Sequence, residues 1–253
     1  MKYNRFLPLI IPLVVLLFFE IFFFRPNLIY LVIVFILLLF FFISRQFIIA
    51  SKRNERWWNY FILPAYFSTS LLVFTLLLSN KIMVQVLFAL NIIILYLYFI
   101  SIYNYLIKVK HYKHNSLENV SAYSNFLAFF FISSSVYGLQ SFLNISVGPL
   151  MVGMILLTGL ISYQVVWVNK VNIKNGLLYI ILVCLVLVEI SWSLSFLPLS
   201  FYVLGLVLAI SYYMIMGVTR IYIQNQIDKR NIKLYLIFGF FSIFTLLFTA
   251  KWM

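Results

Sequence analysis

Acidic side chains are scarce in this chain. Five Asp and Glu stand among 253 residues, against 18 Lys and Arg. Charged residues make up 9 % of the sequence, where a soluble domain carries about 25 %. A chain that is 65 % hydrophobic and so poor in charge cannot cover a water-facing surface with polar groups. A soluble globular fold is therefore excluded, and lipid is the natural solvent. Cysteine is nearly absent. Cys184 alone, in an apolar run, permits no intramolecular disulfide and no cysteine-based zinc site, and it reads as a small packing residue. Asp228, the one aspartate, sits beside Lys229 and Arg230. The clustered carboxylates that a metal-dependent transferase needs are not available. HExxH, GxSxG and GxxxxGK[ST] motifs are all missing, as is any pair of intramembrane aspartates. No catalytic residue, metal or cofactor is assigned.

What the chain has is long apolar runs. About 20 mostly apolar residues form a helix of roughly 30 Å, enough to cross the hydrocarbon core. Nine segments meet this test: Phe6–Phe24, Leu28–Ile43, Tyr60–Leu78, Ile82–Ile102, Val120–Leu143, Val147–Val168, Gly176–Leu197, Phe201–Thr219 and Leu234–Ala250. They lack the in/out alternation of barrel strands. The expected fold is an all-α polytopic transmembrane bundle in one domain over 1–253. The first run follows Lys2 and Arg5 but ends in FFFRPN, without the small residues a signal peptidase needs, so it reads as an uncleaved helix.

The positive charge has a pattern. With nine crossings and the N-terminus inside, 15 of the 18 basic residues fall on the cytoplasmic side. This is what the positive-inside rule demands, and it places the C-terminus outside a cytoplasmic (inner) membrane. The charge then serves orientation and anionic headgroups; it lies in short loops rather than on a soluble surface that could hold nucleic acid. The expected partners are membrane lipids and, in addition, another membrane protein. The outer connections are very short, RPN, SNK, LNIS and FLPLS, which predicts four antiparallel hairpins followed by a lone ninth helix. Asn144-Ile145-Ser146 matches a glycosylation acceptor but lies almost in the membrane.

The inner connection SRQFIIASKRNERWWNY (44–60) combines Arg45, Lys52, Arg53 and Arg56 with Trp57 and Trp58. Tryptophan and arginine at headgroup depth read as interfacial anchors, with a docking surface for a cytoplasmic partner as the alternative. His111, His114 and Glu118 have the spacing of metal ligands on one helix face, but Lys108, Lys110 and Lys113 oppose a cation there. Amides and hydroxyls inside the runs, among them Gln85, Asn91, Asn125, Ser133, Ser134, Ser135, Gln140, Thr158, Ser162 and Gln164, are expected to bond across helices. Ser134–Gly138 and Gly205–Ala209 have the small-residue spacing of close helix contacts.

Two acids lie within the runs. Glu20 is close enough to the outer end of its helix to snorkel outward or to meet Arg25. Glu189 is some eight residues below Leu197, roughly 12 Å down, too deep to reach headgroups. An ionised carboxylate at that depth costs several kcal/mol unless it is paired or wetted. Glu189 is therefore expected to face the bundle interior, as a protonated or pocket-lining group or as a structural contact to an amide. Trp192, Ser193 and Phe196 share its face, with Ser193 in reach of the carboxyl, and Pro198 ends the helix. The stretch Glu189, Trp192, Leu194-Ser195-Phe196-Leu197-Pro198 resembles a signature of uncharacterised multi-pass membrane proteins of small-genome bacteria, a resemblance that implies no activity. Three readings follow. The first is a non-catalytic membrane component that binds lipid, a hydrophobic small molecule or a membrane partner. The second is a proton- or cation-coupled transporter using Glu189. The third is an outward-facing membrane enzyme using Glu20 and Glu189.

Overall fold

The computed structural model describes residues 6–51, 55–113, 115–170, 173–223 and 229–252. Nine α-helices and two short 3₁₀ turns account for nearly all of them, and the described residues contain no strand. The helices are α1 Leu7–Phe24, α2 Ile29–Ser51, α3 Trp58–Thr75, α4 Lys81–Leu106, α5 Ser116–Leu143, α6 Val147–Val168, α7 Ile173–Leu194, α8 Phe201–Ile223 and α9 Lys229–Thr249. Every apolar run in the sequence has become one of them. Several helices outrun the apolar segment that announces them. α2 continues past Ile43 to Ser51 because Phe47, Ile48 and Ile49 keep an apolar face and nothing in Ser44-Arg45-Gln46 breaks a helix. α7 stops at Leu194, short of Leu197, in a tight turn where Leu197 N–H reaches Leu194 O at 3.0 Å ahead of Pro198.

The chain forms two compact units, Met1–Asn125 and Phe126–Met253, with the division inside α5.

In the first unit α1 packs on α4 as well as on its hairpin partner α2, and α3 packs on α2 and α4. The pairing residues fix the directions. Phe18 stacks on Phe35 across the α1–α2 turn. Phe19 and Phe23, near the end of α1, meet Phe88 near the start of α4. Tyr98 donates to the Tyr60 carbonyl oxygen while Asn91 donates to Ser68, so α3 and α4 run antiparallel along their length. Asn80 begins α4 by accepting from the N–H groups of Ile82 and Met83 at 2.9 and 3.4 Å, an N-cap that satisfies two end donors.

α3 stands apart in composition. The other eight helices are long and apolar enough to cross a membrane. α3 has the length, 18 residues or roughly 27 Å, but carries Asn59, Ser68, Ser70 and Thr75. Thirteen of its 18 residues are buried, those four included. A helix shielded by its neighbours does not meet lipid and need not be uniformly apolar.

In the second unit α6 packs on α7, α7 on α8 and α8 on α9. The ninth helix, outside the four expected hairpins, packs on α8. Its contact is a reciprocal one: a Cβ on Gly217 would strike the Tyr235 ring, and one on Gly239 would strike Met214. Each glycine is a hole for the other helix's knob, which gives α9 a surface to grip. α5 lies antiparallel to α8. Phe129 stacks on Tyr212 and Phe142 meets Phe201, with Ser134 against Gly205 between them. A Cβ on Gly205 would sit 2.0 Å from Ser134 Oγ and 2.8 Å from its Cα, so the two backbones touch. The small residues that stand out in the sequence do mark a helix contact here.

Candidate functional site

Both faces of α7 are largely apolar. Val183, Leu187, Ser191 and Leu194 are buried. On the opposite side of the helix, Leu177, Leu178, Ile181, Leu182, Leu185 and Val186 are exposed, and Glu189 is exposed with them. Trp192 and Phe196 continue this outward face, at 54 % and 64 % exposure, with their rings edge to face at 5.3 Å. Glu189, Trp192, Ser193 and Phe196 do share one face, as their spacing requires. That face points away from the interior, which overturns the expectation of an inward-facing Glu189. The Ser193 hydroxyl donates to the Glu189 backbone carbonyl at 2.9 Å, the ordinary bond of a helical serine, and not to the carboxyl. Pro198 is exposed in the turn beyond.

The polar contact that holds α7 in its unit comes from a residue that the sequence does not single out. Ser191 is fully buried and accepts from Tyr137 of α5 at both its carbonyl, 3.0 Å, and its hydroxyl, 3.1 Å. A tyrosine in an apolar run is an ordinary core aromatic by composition, and only tertiary placement shows what its hydroxyl does. Gln140 reaches the Ser195 carbonyl one turn further on, at 3.5 Å.

Glu20 is half-buried on α1 and accepts from Gln85 Nε2 of α4 at 3.2 Å. Its partner is thus an amide of the neighbouring helix, not Arg25, which is exposed. Glu55 receives the Tyr60 hydroxyl. Glu118 receives the Tyr112 hydroxyl at 2.8 Å. Burial, and then this contact with Glu118, push the Tyr112 phenol up to about 12. His114 lies outside the described residues, and among those described no three His, Cys, Asp or Glu side chains gather as a metal site.

The α2–α3 connection carries the anchors read from the sequence. Lys52 and Arg53 lie outside the described residues. Arg45 and Arg56 are exposed, and each guanidinium covers an aromatic ring: Arg45 over Phe41 at 5.7 Å, Arg56 over Trp58 at 5.2 Å. Trp57 joins the two, edge-on to Phe41 at 4.8 Å and 6.2 Å from Trp58. Arg45 belongs to α2, so this anchor is held by a helix and not by a loop.

Nine helices, eight of them with the length and composition of a membrane span, define the class: an all-helical multi-pass membrane protein. A family profile described as "Protein of unknown function (DUF5656)" matches residues 8–249. The chain belongs to this DUF5656 family. No curated protein and no solved structure matches it.

Proposed function

We propose that this protein is a non-catalytic component of the cytoplasmic membrane, crossing it nine times with the N-terminus inside, and that it holds a second membrane protein on the exposed face of α7. One observation carries the reading: Glu189 stands on an open apolar face beside Leu185, Val186 and Trp192. Helical Cα–Cβ bonds tilt toward the N-terminus, so the carboxyl leans away from the nearer, C-terminal end of α7 and toward the bilayer centre. Left to lipid, an unpartnered carboxyl at this depth costs a few kcal/mol. A partner helix with an amide, hydroxyl or cation at the same depth removes that cost, while Trp192 and Phe196 supply contact area. The exposed position also takes Glu189 out of any path through the interior of its own unit, which argues against the transporter. An enzyme would need its carboxylates in one cleft, and Glu189 stands on an open helix face.

The test places a photo-crosslinking amino acid at Val186 in native membranes. A discrete protein adduct is expected, lost with Glu189→Leu and kept with Glu189→Gln, which still hydrogen-bonds. The same crosslinker at Phe241, on the exposed face of α9, should give no such adduct. An adduct indifferent to Glu189→Leu, or equal capture at both positions, removes the reading.

A further inference from the structure

Arg45 and Arg56 form the second exposed feature that the fold does not itself use, and the geometry points to an anionic phospholipid as its occupant. Neither guanidinium has a carboxylate partner among the described residues. Both are nonetheless held in place. Arg45–Phe41–Trp57–Trp58–Arg56 is an unbroken series of ring contacts, so the two cations flank one aromatic cluster. A guanidinium stacked on a ring keeps its edge N–H groups free for a planar, bidentate approach by phosphate oxygens. α3 begins here at Trp58, after Trp57 at the N-cap position with no side-chain cap, and the positive end of its dipole adds to the same field.

What distinguishes a lipid from a free phosphate lies along α2. Leu31, Phe35, Leu38 and Phe42 are exposed, and Arg45 and then Ile49 follow at the same spacing of three or four residues. They form one helical stripe. An acyl chain laid on Leu31–Phe42 brings its headgroup to Arg45, and Arg56, at the other end of the aromatic cluster, adds a second positive charge to the headgroup region. The apolar track and the paired cations thus fit the two ends of one molecule. This site is independent of the α7 face and stands whether or not Glu189 holds a partner.

Native mass spectrometry of the purified full chain in detergent tests it, with phosphatidylglycerol and phosphatidylcholine of identical acyl chains as probes. The intact protein is expected to prefer phosphatidylglycerol by on the order of 10-fold. Arg45→Gln with Arg56→Gln should abolish that preference. Arg25→Gln with Lys81→Gln, the same charge loss elsewhere on the same unit, should leave it unchanged. Arg45→Lys with Arg56→Lys keeps the charge but loses the planar stacking, and should reduce the preference several-fold; it also keeps the question open if the glutamine pair does not fold. A preference that survives both Arg45/Arg56 pairs, or that falls equally in the Arg25/Lys81 pair, overturns the site. Displacement of phosphatidylglycerol by millimolar inorganic phosphate would assign the cations to a free anion and overturn the lipid.

Discussion

Glu20 and Glu189 are the same side chain in two apolar runs, and their surroundings separate them. Glu20 is met by Gln85 at 3.2 Å, so its cost of burial is shared with a neighbouring helix. Removing the amide in Gln85→Leu should lower stability by about 0.5–2 kcal/mol, and a double-mutant cycle with Glu20→Leu should return a coupling of similar size. Unfolding in detergent measures both, and strict additivity of the two substitutions would show that the bond contributes nothing. Tyr112, between α4 and α5, offers a pH test. Its phenol is raised from the ordinary value of about 10 to about 12 by burial and by Glu118. A raised pKa means that the contribution of the neutral phenol is fully present below pH 10 and fades as the pH rises through 12. The absorbance difference between the wild type and Tyr112→Phe should therefore show one phenolate that appears near pH 12 and not near 10.

Among the elements, helix existence is legible in the sequence and helix facing is not. An apolar run of 20 residues announces a span regardless of its surroundings. The side that faces protein is another matter. Lipid tails and a helix neighbour are equally apolar, so hydrophobicity carries no information about which face is inward. α7 shows this directly: Leu187 is buried and Leu185 exposed, and the sequence treats them alike. Electrostatics alone would turn Glu189 inward, yet Ser191 is the residue that Tyr137 draws into the core. Small residues are more informative, because close backbone approach admits few alternatives. Gly205 on α8 touches the backbone of Ser134, so Gly205→Ala must push α5 and α8 apart and should cost about 1–3 kcal/mol. Gly153 on α6 faces open space, with nothing within 4 Å of where an added methyl would sit, and Gly153→Ala should leave stability within about 0.5 kcal/mol of wild type. Equal losses at the two sites in a thermal assay would contradict the α5–α8 contact. Where α5 ends, Asn144 adopts φ 50, a left-handed conformation that asparagine tolerates and a β-branched residue does not. Asn144→Val should cost about 1–2 kcal/mol and Asn144→Gly nothing.

For the molecule as a whole, the decisive element is α3. The basic residues fall on one side of the membrane only if α3 crosses it, and α3 is the helix whose composition does not meet the criterion for a span. Packing argues that it crosses. It runs antiparallel to α4 from Tyr60 beside Tyr98 to Ser68 beside Asn91, and its polar side chains are buried among its neighbours, away from lipid. A helix that merely lay on the surface would have to expose one face to water or headgroups along its length, and α3 keeps 13 of 18 residues covered. The consequence is a specific pattern of access. In a Cys184→Ala background, single cysteines are placed at Ser51, the last residue of α2, and at Ser79 and Asn115, in the α3–α4 and α4–α5 connections. If α3 crosses, a membrane-impermeant maleimide applied to intact cells labels Ser79→Cys, and reaches Ser51→Cys and Asn115→Cys only after the cells are opened. If α3 stays on one side, Ser79→Cys follows Ser51→Cys, the alternation of charge beyond it reverses, and the end of the chain moves to the cytoplasmic face. Labelling of Ser51→Cys and Ser79→Cys under the same condition would therefore replace nine crossings with eight, and would turn the α7 face and Glu189 toward the opposite leaflet.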